Sequence, residues 1–152
     1  MPKKIPVVAW DHIVVRVTNL ERSVAFYTEH LGFDPVADVE IGGEQLERIL
    51  SGHAGEPVVG ARAHLVLGKV GGQLVELIQY AADGDVELPA PGIGAFTLRV
   101  SDADEAYEAA VEGGLDPETK PIEIEGSKQF FITDPDGVNI ELTQPPKAGG
   151  AS

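Results

Sequence analysis

The chain reads His12-Ile13-Val14-Val15-Arg16-Val17-Thr18-Asn19-Leu20-Glu21 near its start and Ala95-Phe96-Thr97-Leu98-Arg99-Val100-Ser101-Asp102-Ala103-Asp104 beyond its middle. Adding 83 to a residue number carries Arg16-Val17-Thr18 onto Arg99-Val100-Ser101 and Glu21 onto Asp104. Further along, adding 65 carries Gly72 onto Gly137, Glu76-Leu77 onto Glu141-Leu142 and Gln79 onto Gln144. The second copy therefore has a connection 83 − 65 = 18 residues shorter, which a surface loop tolerates. Strand, cap, helix and hairpin signals recur in the same order, which is the signature of a duplicated module.

Each copy can be read locally. Asp11 to Val17 is rich in β-branched residues and predicts a strand. Thr18 with Glu21 has capping-box spacing, Val24, Tyr27 and Leu31 follow at helical spacing, and Gly32 is placed to stop the helix. A strand is expected over Pro35–Ile41, a helical turn over Gln45–Leu50 and a loop over Ser51–Gly60. Ala61–Leu67 and Gln73–Tyr80 read as strands around a glycine-rich turn at Gly68–Gly72. Ala81–Pro91 is acidic and proline-containing, a linker.

In the second copy, Ala95–Val100 is a strand, Ser101 with Asp104 repeats the cap, and Ala103, Ala106, Tyr107 and Ala110 form a helical stripe ended by Gly113-Gly114. Ile122–Ile124, Lys128–Thr133 and Val138–Thr143 complete three strands, with Asp134-Pro135-Asp136-Gly137 a turn between the last two. The tail from Pro145 is expected to be disordered. The organisation expected is one domain over residues 1–152, with module one about 8–80, a linker 81–92, module two about 93–144 and a tail 145–152.

Composition narrows the function. Net charge is −14, from 25 acids against 11 bases, which repels phosphate backbones and anionic membranes and argues against both partners. There is no cysteine, so disulfides, thiolate metal sites and cysteine nucleophiles are excluded. The apolar stretch after Met1-Pro2-Lys3-Lys4 is interrupted by Pro6 and stops at Asp11, too short for a signal peptide, and no segment reaches membrane-spanning length. A cytoplasmic protein is the expectation.

Period-two alternation sorts each strand into faces. Ile13, Val15 and Val17 form one apolar face and leave His12, Val14 and Arg16 on the other. Val75 and Leu77 face the helix side, which puts Glu76 opposite. Ile140 and Leu142 do the same for Glu141. His12, Glu76 and Glu141 thus all point away from the helix-packed core, and one imidazole with two carboxylates suits a divalent cation. If the hairpin is centred on Val70, His64 lies directly across from Glu76, available as a substitute ligand, general base or substrate contact. Arg62 would lie on the same face and could bind a ligand carboxylate. His30 and His53 receive no role, and Tyr27 reads as core.

Trp10-Asp11-His12-Ile13, the helix ending His30-Leu31-Gly32-Phe33, and Asp134-Pro135-Asp136-Gly137-Val138-Asn139-Ile140-Glu141-Leu142 resemble the vicinal-oxygen-chelate superfamily of glyoxalases, bleomycin resistance proteins and extradiol dioxygenases, over roughly residues 8–144. The resemblance implies an α+β fold of two tandem βαβββ modules forming a partly open mixed-sheet barrel around a central cleft. It also implies a homodimer and metal ligands at four equivalent positions. Three carry over, as His12, Glu76 and Glu141, while the fourth falls on Ala95 (12 + 83 = 95). That departure argues against ring-cleaving dioxygenases and also weakens assignment as an ordinary glyoxalase or methylmalonyl-CoA epimerase. One reading is therefore an isomerase or lyase dependent on a divalent ion (Mn, Ni, Zn, Fe or Co). It would act on a small oxygenated acid or thioester through an enolate-like intermediate, with Glu141 as base and His64 as a second proton-moving group. The other is a metal-free protein that binds an antibiotic or metabolite.

Overall fold

The computed structural model describes residues 3–51, 57–133 and 139–147. In chain order the elements are β1 (Val7–Arg16), α1 (Leu20–Leu31), β2 (Asp34–Gly42), α2 (Glu44–Ser51), β3 (Arg62–Val70), β4 (Gln73–Ala81), β5 (Gly92–Val100), α3 (Ala103–Glu112), β6 (Ile122–Ile124), β7 (Ser127–Thr133) and β8 (Asn139–Gln144). The chain forms two compact units, His12–Gly94 and Met1–Asp11 with Ala95–Ser152. Each contains the order βαβββ, with α2 added in the first, and the fold is mixed α+β as expected.

In the His12 unit the strands lie in the order β2-β3-β4-β1. β1 and β4 run parallel with Val14 opposite Glu76 and Val15 opposite Leu77. β3 and β4 form a hairpin closed by Val70 and Gln73. Its two loop residues, Gly71 and Gly72, have φ of 56° and 87°. Two positive φ values in a two-residue loop match the twist of the flanking strands, and glycine adopts them without a Cβ penalty. The β2–β3 register shifts between Pro35 and Ala37, where a residue without an N–H cannot continue the ladder.

Helix α1 covers one face of this sheet. Leu20, Phe33, Val66 and Leu77 are buried together, with Val15, Val17, Val24, Tyr27, Val70 and Val75 packed against them. Leu31, expected in the apolar stripe, is instead 51% exposed, and Phe33, just beyond the helix, fills the core. The N-cap is Asn19, one residue after the expected Thr18: its side chain accepts from Arg22 N at 3.0 Å. Gly32 takes the left-handed conformation at φ 68° and stops the helix as anticipated.

The Ala95 unit repeats the plan. β5 and β8 are parallel with Thr97 opposite Glu141 and Leu98 opposite Leu142, and β8, β7 and β6 are successively antiparallel. The core joins Val100, Ala103, Ala106, Ala110, Phe130 and Leu142, with Ile5, Leu98, Tyr107, Ile132 and Ile140 against it. The predicted stripe of α3 is thus the buried one, and Tyr107 meets the Phe130 ring edge-on at 5.6 Å. Here the cap is Asp102, which accepts from Glu105 N at 3.0 Å; again the expected residue, Ser101, is one too early.

The duplication extends to single hydrogen bonds. Leu20 N donates to Gln79 Oε1 at 2.7 Å, and Ala103 N donates to Gln144 Oε1 at 2.9 Å. The helix residues are related by 83 and the glutamines by 65, the two offsets of the sequence repeat. Each glutamine reaches from the last strand of its unit to satisfy the first N–H of the helix, which has no partner within the helix.

Several expectations meet limits or adjustments. β1 begins at Val7, four residues before the expected strand, and the helical turn at Gln45–Leu50 is a helix over Glu44–Ser51. The Asp134-Pro135-Asp136-Gly137 turn, His53 and the end of the tail lie outside the described residues. Among the described residues no helix is long and apolar enough to cross a membrane.

Candidate functional site

The strand faces opposite the helices carry the polar groups. In the His12 unit that face is built by His12, Val14 and Arg16 of β1, by Glu76 and Ile78 of β4, and by Ala63, Leu65 and Leu67 of β3. Partners across a ladder share a face, so the registers fix this grouping. The face is largely apolar and buried: Val14, Ala63, Leu65 and Ile78 are all core residues.

Two ionisable side chains meet on it. His12 Nε2 lies 3.5 Å from Glu76 Oε1, with the side chains 10% and 17% exposed. That is long for a hydrogen bond. It is close to the edge of a tetrahedron of donors around an ion with bonds near ~2.1 Å, which is about 3.4 Å. A buried carboxylate is costly unless it is paired or coordinates a cation, so imidazole and carboxylate together fit part of a divalent-ion donor set. Within neither unit do the described residues bring three His, Asp or Glu side chains into a metal-holding group.

Glu141 occupies the matching place in the Ala95 unit and is 8% exposed. Its surroundings differ from those of Glu76. Thr97 Oγ1 donates to Oε1 at 3.3 Å and Gln129 Nε2 donates to Oε2 at 3.5 Å, so each carboxylate oxygen has a neutral donor. Thr97 is fully buried and stands where the first unit has Val14; Ala95, 8% exposed, stands where it has His12.

The register corrects the reading of His64 and Arg62. Pairing across the hairpin joins His64 to Gln79, Arg62 to Ala81 and Leu67 to Glu76. Paired residue numbers sum to 143, whereas the expected pairing of His64 with Glu76 sums to 140. An odd difference turns every side chain of β3 to the other face. His64 and Arg62 therefore share a face with Val66 and Leu77, opposite Glu76. His64 Nε2 is 2.6 Å from Asp38 Oδ1, and Arg62 Nη1 reaches Gly60 O at 2.8 Å and Asp83 Oδ1 at 3.2 Å. The physical cause is the two-residue turn, centred between Gly71 and Gly72 and not on Val70.

Periodicity puts Arg16 on the His12 face without marking it for a role. Its Nε is buried with no hydrogen-bond partner among the described residues. Leaving such a donor unsatisfied costs about 1–3 kcal/mol, so the position holds chemical potential for an incoming acceptor. Thr97 and Gln129 are two further site residues that the sequence reading does not assign. The repeat contained the signal for Thr97, since it replaces an apolar residue at the position paired with the second glutamate. Nothing in the sequence singles out Gln129.

Two βαβββ units with a histidine and glutamates set on their helix-free faces define the vicinal-oxygen-chelate class. Residues 9–142 match the Glyoxalase/Bleomycin resistance protein/Dioxygenase superfamily, and the chain belongs to that family. It is 27% identical over 135 residues to a putative lactoylglutathione lyase of Brassica oleracea var. gemmifera, covering 88% of this chain and 43% of that protein. It is 28% identical over 135 residues to a probable chloroplastic lactoylglutathione lyase of Arabidopsis thaliana, covering 88% of this chain and 35% of that one. The chain thus spans less than half the length of these relatives. Among solved structures, methylmalonyl-CoA epimerase from Mycobacterium tuberculosis superposes with a TM-score of 0.75 at 21% identity, covering 100% of this chain and 97% of that one. Streptomyces coelicolor methylmalonyl-CoA epimerase in complex with 2-nitronate-propionyl-CoA gives 0.66 at 18% identity, with coverages of 93% and 96%. These likenesses establish the fold.

Proposed function

We propose that the chain is a glyoxalase-like isomerase or lyase that moves a proton on a small oxygenated acid or thioester, with His12, Glu76 and Glu141 as its metal-ligating residues. The observation that carries this reading is the pairing of buried His12 with half-buried Glu76, whose 3.5 Å separation suits two ligands of one ion better than a hydrogen bond. The relatives named as lactoylglutathione lyases and the epimerases of like fold support the reaction class.

A divalent ion at these residues would supply Lewis-acid polarisation of two neighbouring substrate oxygens. Glu141 takes the proton from the substrate carbon onto a carboxylate oxygen and returns it to the same or the adjacent carbon. Thr97 and Gln129 hold that carboxylate in one orientation through its two oxygens. The apolar lining of Val14, Leu65 and Ile78 excludes water from the face on which His12 and Glu76 sit. Arg16, with its unsatisfied Nε, receives a substrate carboxylate.

Metal content tests the proposal. Elemental mass spectrometry on untagged protein purified without chelator is expected to find near-stoichiometric divalent metal that falls sharply in Glu76→Ala and Glu141→Ala. Absence of metal after reconstitution with manganese, nickel, zinc, iron and cobalt would sink it. Ala95 favours a second reading, a metal-free binder of a small metabolite or antibiotic, because it removes a donor at the position equivalent to His12. Ligand-binding screens on the metal-free protein separate the two. A homodimer is the assembly we propose for either, to be checked by light scattering.

A further inference from the structure

The helix-free faces of the two units carry side chains of similar size and opposite chemistry. In the His12 unit Leu65 pairs with Ile78 across the hairpin, and both are buried and apolar. In the Ala95 unit the position equivalent to Ile78 is Thr143 (78 + 65 = 143), and its partner across the hairpin is Gln129. Thr143 is 6% exposed, yet its hydroxyl has no hydrogen-bond partner among the described residues. Among those residues the unpartnered side-chain atom that is also sealed from solvent is Arg16 Nε, so the Thr143 hydroxyl still borders open space. Gln129 is half engaged. Its Oε1 accepts from Ser127 Oγ at 3.3 Å and its Nε2 donates one hydrogen to Glu141 Oε2 at 3.5 Å. Its second amide hydrogen has no partner among the described residues. Arg99, which pairs with Thr143 from β5, donates Nε and Nη2 to Asp11 Oδ2 at 3.1 and 3.0 Å, so a carboxylate already neutralises it.

We propose that Thr143 and Gln129 form a ligand subsite for an uncharged oxygen, a hydroxyl or a carbonyl, beside Glu141. The Thr143 hydroxyl can donate or accept, and the spare amide hydrogen of Gln129 donates, so one ligand oxygen satisfies both. Period-two alternation sets Thr143 and Glu141 on one face of β8, two residues or about 6.8 Å apart along the strand. A carboxylate at this place would meet the charge of Glu141 with Arg99 already neutralised, and like charges at that range repel. Packing alone gives no reason for the polar pair. A buried hydroxyl without a partner costs folding free energy that an isoleucine in the other unit does not, and threonine is not a volume-neutral stand-in for an aliphatic side chain because of that hydroxyl. That the ligand is the substrate rests on the function proposed above, whereas the chemistry of the subsite does not.

Two neutral-versus-charged probes of like size test the subsite. In the full-length, metal-free protein labelled with 15N, the Gln129 side-chain amide is assigned by its loss in Gln129→Leu. It is then followed while hydroxyacetone or glycolate is added at constant ionic strength. Hydroxyacetone is expected to shift it saturably, and glycolate to act at least about tenfold more weakly. Thr143→Val, which keeps the shape and removes the hydroxyl, is expected to weaken the hydroxyacetone response by about two- to tenfold, the range of one neutral hydrogen bond. Thr143→Ser is expected to respond as the unmodified protein does. Because the hydroxyl has no partner in the fold, Thr143→Val should also leave the urea midpoint unchanged or raise it. An equal response to glycolate, an undiminished response in Thr143→Val, or a Thr143→Val protein that is less stable or unfolded overturns the proposal. No metal or turnover enters these readings, so the subsite can fail while the enzyme reading stands, and the reverse.

Discussion

The His12 unit and the Ala95 unit have kept different things. On the helix-facing side their last strands match: Leu77 and Leu142 are both fully buried, and Gln79 and Gln144 both hold the first amide of a helix. On the helix-free side they have parted. His12 faces Ala95 in the alignment of repeats and Val14 faces Thr97. The helices above those last strands have diverged in volume, with Leu20, Val24 and Tyr27 answering to Ala103, Tyr107 and Ala110, and each core is packed to its own shape. The opposite face keeps Glu76 with Glu141 and Arg16 with Arg99. The strand positions that both repeats keep are therefore the ones whose replacement should weigh equally in the two units.

The largest effect that bears on this contrast is catalytic. Glu141→Gln, which keeps shape and removes the base, is expected to lower kcat/KM by about 10²–10⁴, while Glu76→Gln acts through metal content. Steady-state kinetics beside elemental analysis separates the two, and equal metal loss without a larger rate defect in Glu141→Gln would erase the distinction drawn between the halves.

Next come the equivalent leucines. Leu77→Ala and Leu142→Ala should each destabilise by about 2–5 kcal/mol, read from urea denaturation. If one of them proves mild, the symmetry of the two cores is broken. The glutamines are expected to matter less: Gln79→Ala and Gln144→Ala should each cost about 0.5–2 kcal/mol, the scale of losing a helix-terminal partner, and the two losses should agree.

The smallest effect is a pH dependence confined to the Ala95 unit. Lys128 Nζ donates to Asp104 Oδ2 at 2.6 Å, and that hydrogen bond raises the amine above its ordinary 10.5 against the opposing effect of desolvation. A base with a raised folded pKa contributes its stability below the unfolded value and loses it as pH rises through the folded one. The contribution should therefore persist to about pH 10.5 and fade above it. NMR titration of Lys128 in Asp104→Asn is expected to show the pKa falling back, and an unmoved value would assign the shift elsewhere.

Much of this architecture was legible in the sequence, because the repeat fixes which segments must play the same part. Strand faces within one strand were read correctly for His12, Glu76 and Glu141, since period two depends only on local geometry. The relation of one strand to the next was not, because it hangs on where the turn closes. Centring the β3–β4 turn on Val70, when it closes between Gly71 and Gly72, puts His64 beside Glu76, whereas the imidazole faces Asp38. The caps were missed by one residue because Thr18 and Asn19, or Ser101 and Asp102, are all capable acceptors, and only the backbone chooses. Arg16 escaped notice because an unsatisfied donor is a property of its surroundings and leaves no mark in its own neighbourhood of sequence.

The glutamine clasps also carry a kinetic meaning. The first amides of a helix exchange quickly with solvent, because nothing inside the helix protects them. Leu20 and Ala103 are held instead by side chains rooted in strands. Their amide hydrogens should exchange at the slow rate of sheet opening, so that α1 and α3 fray from their C-terminal ends.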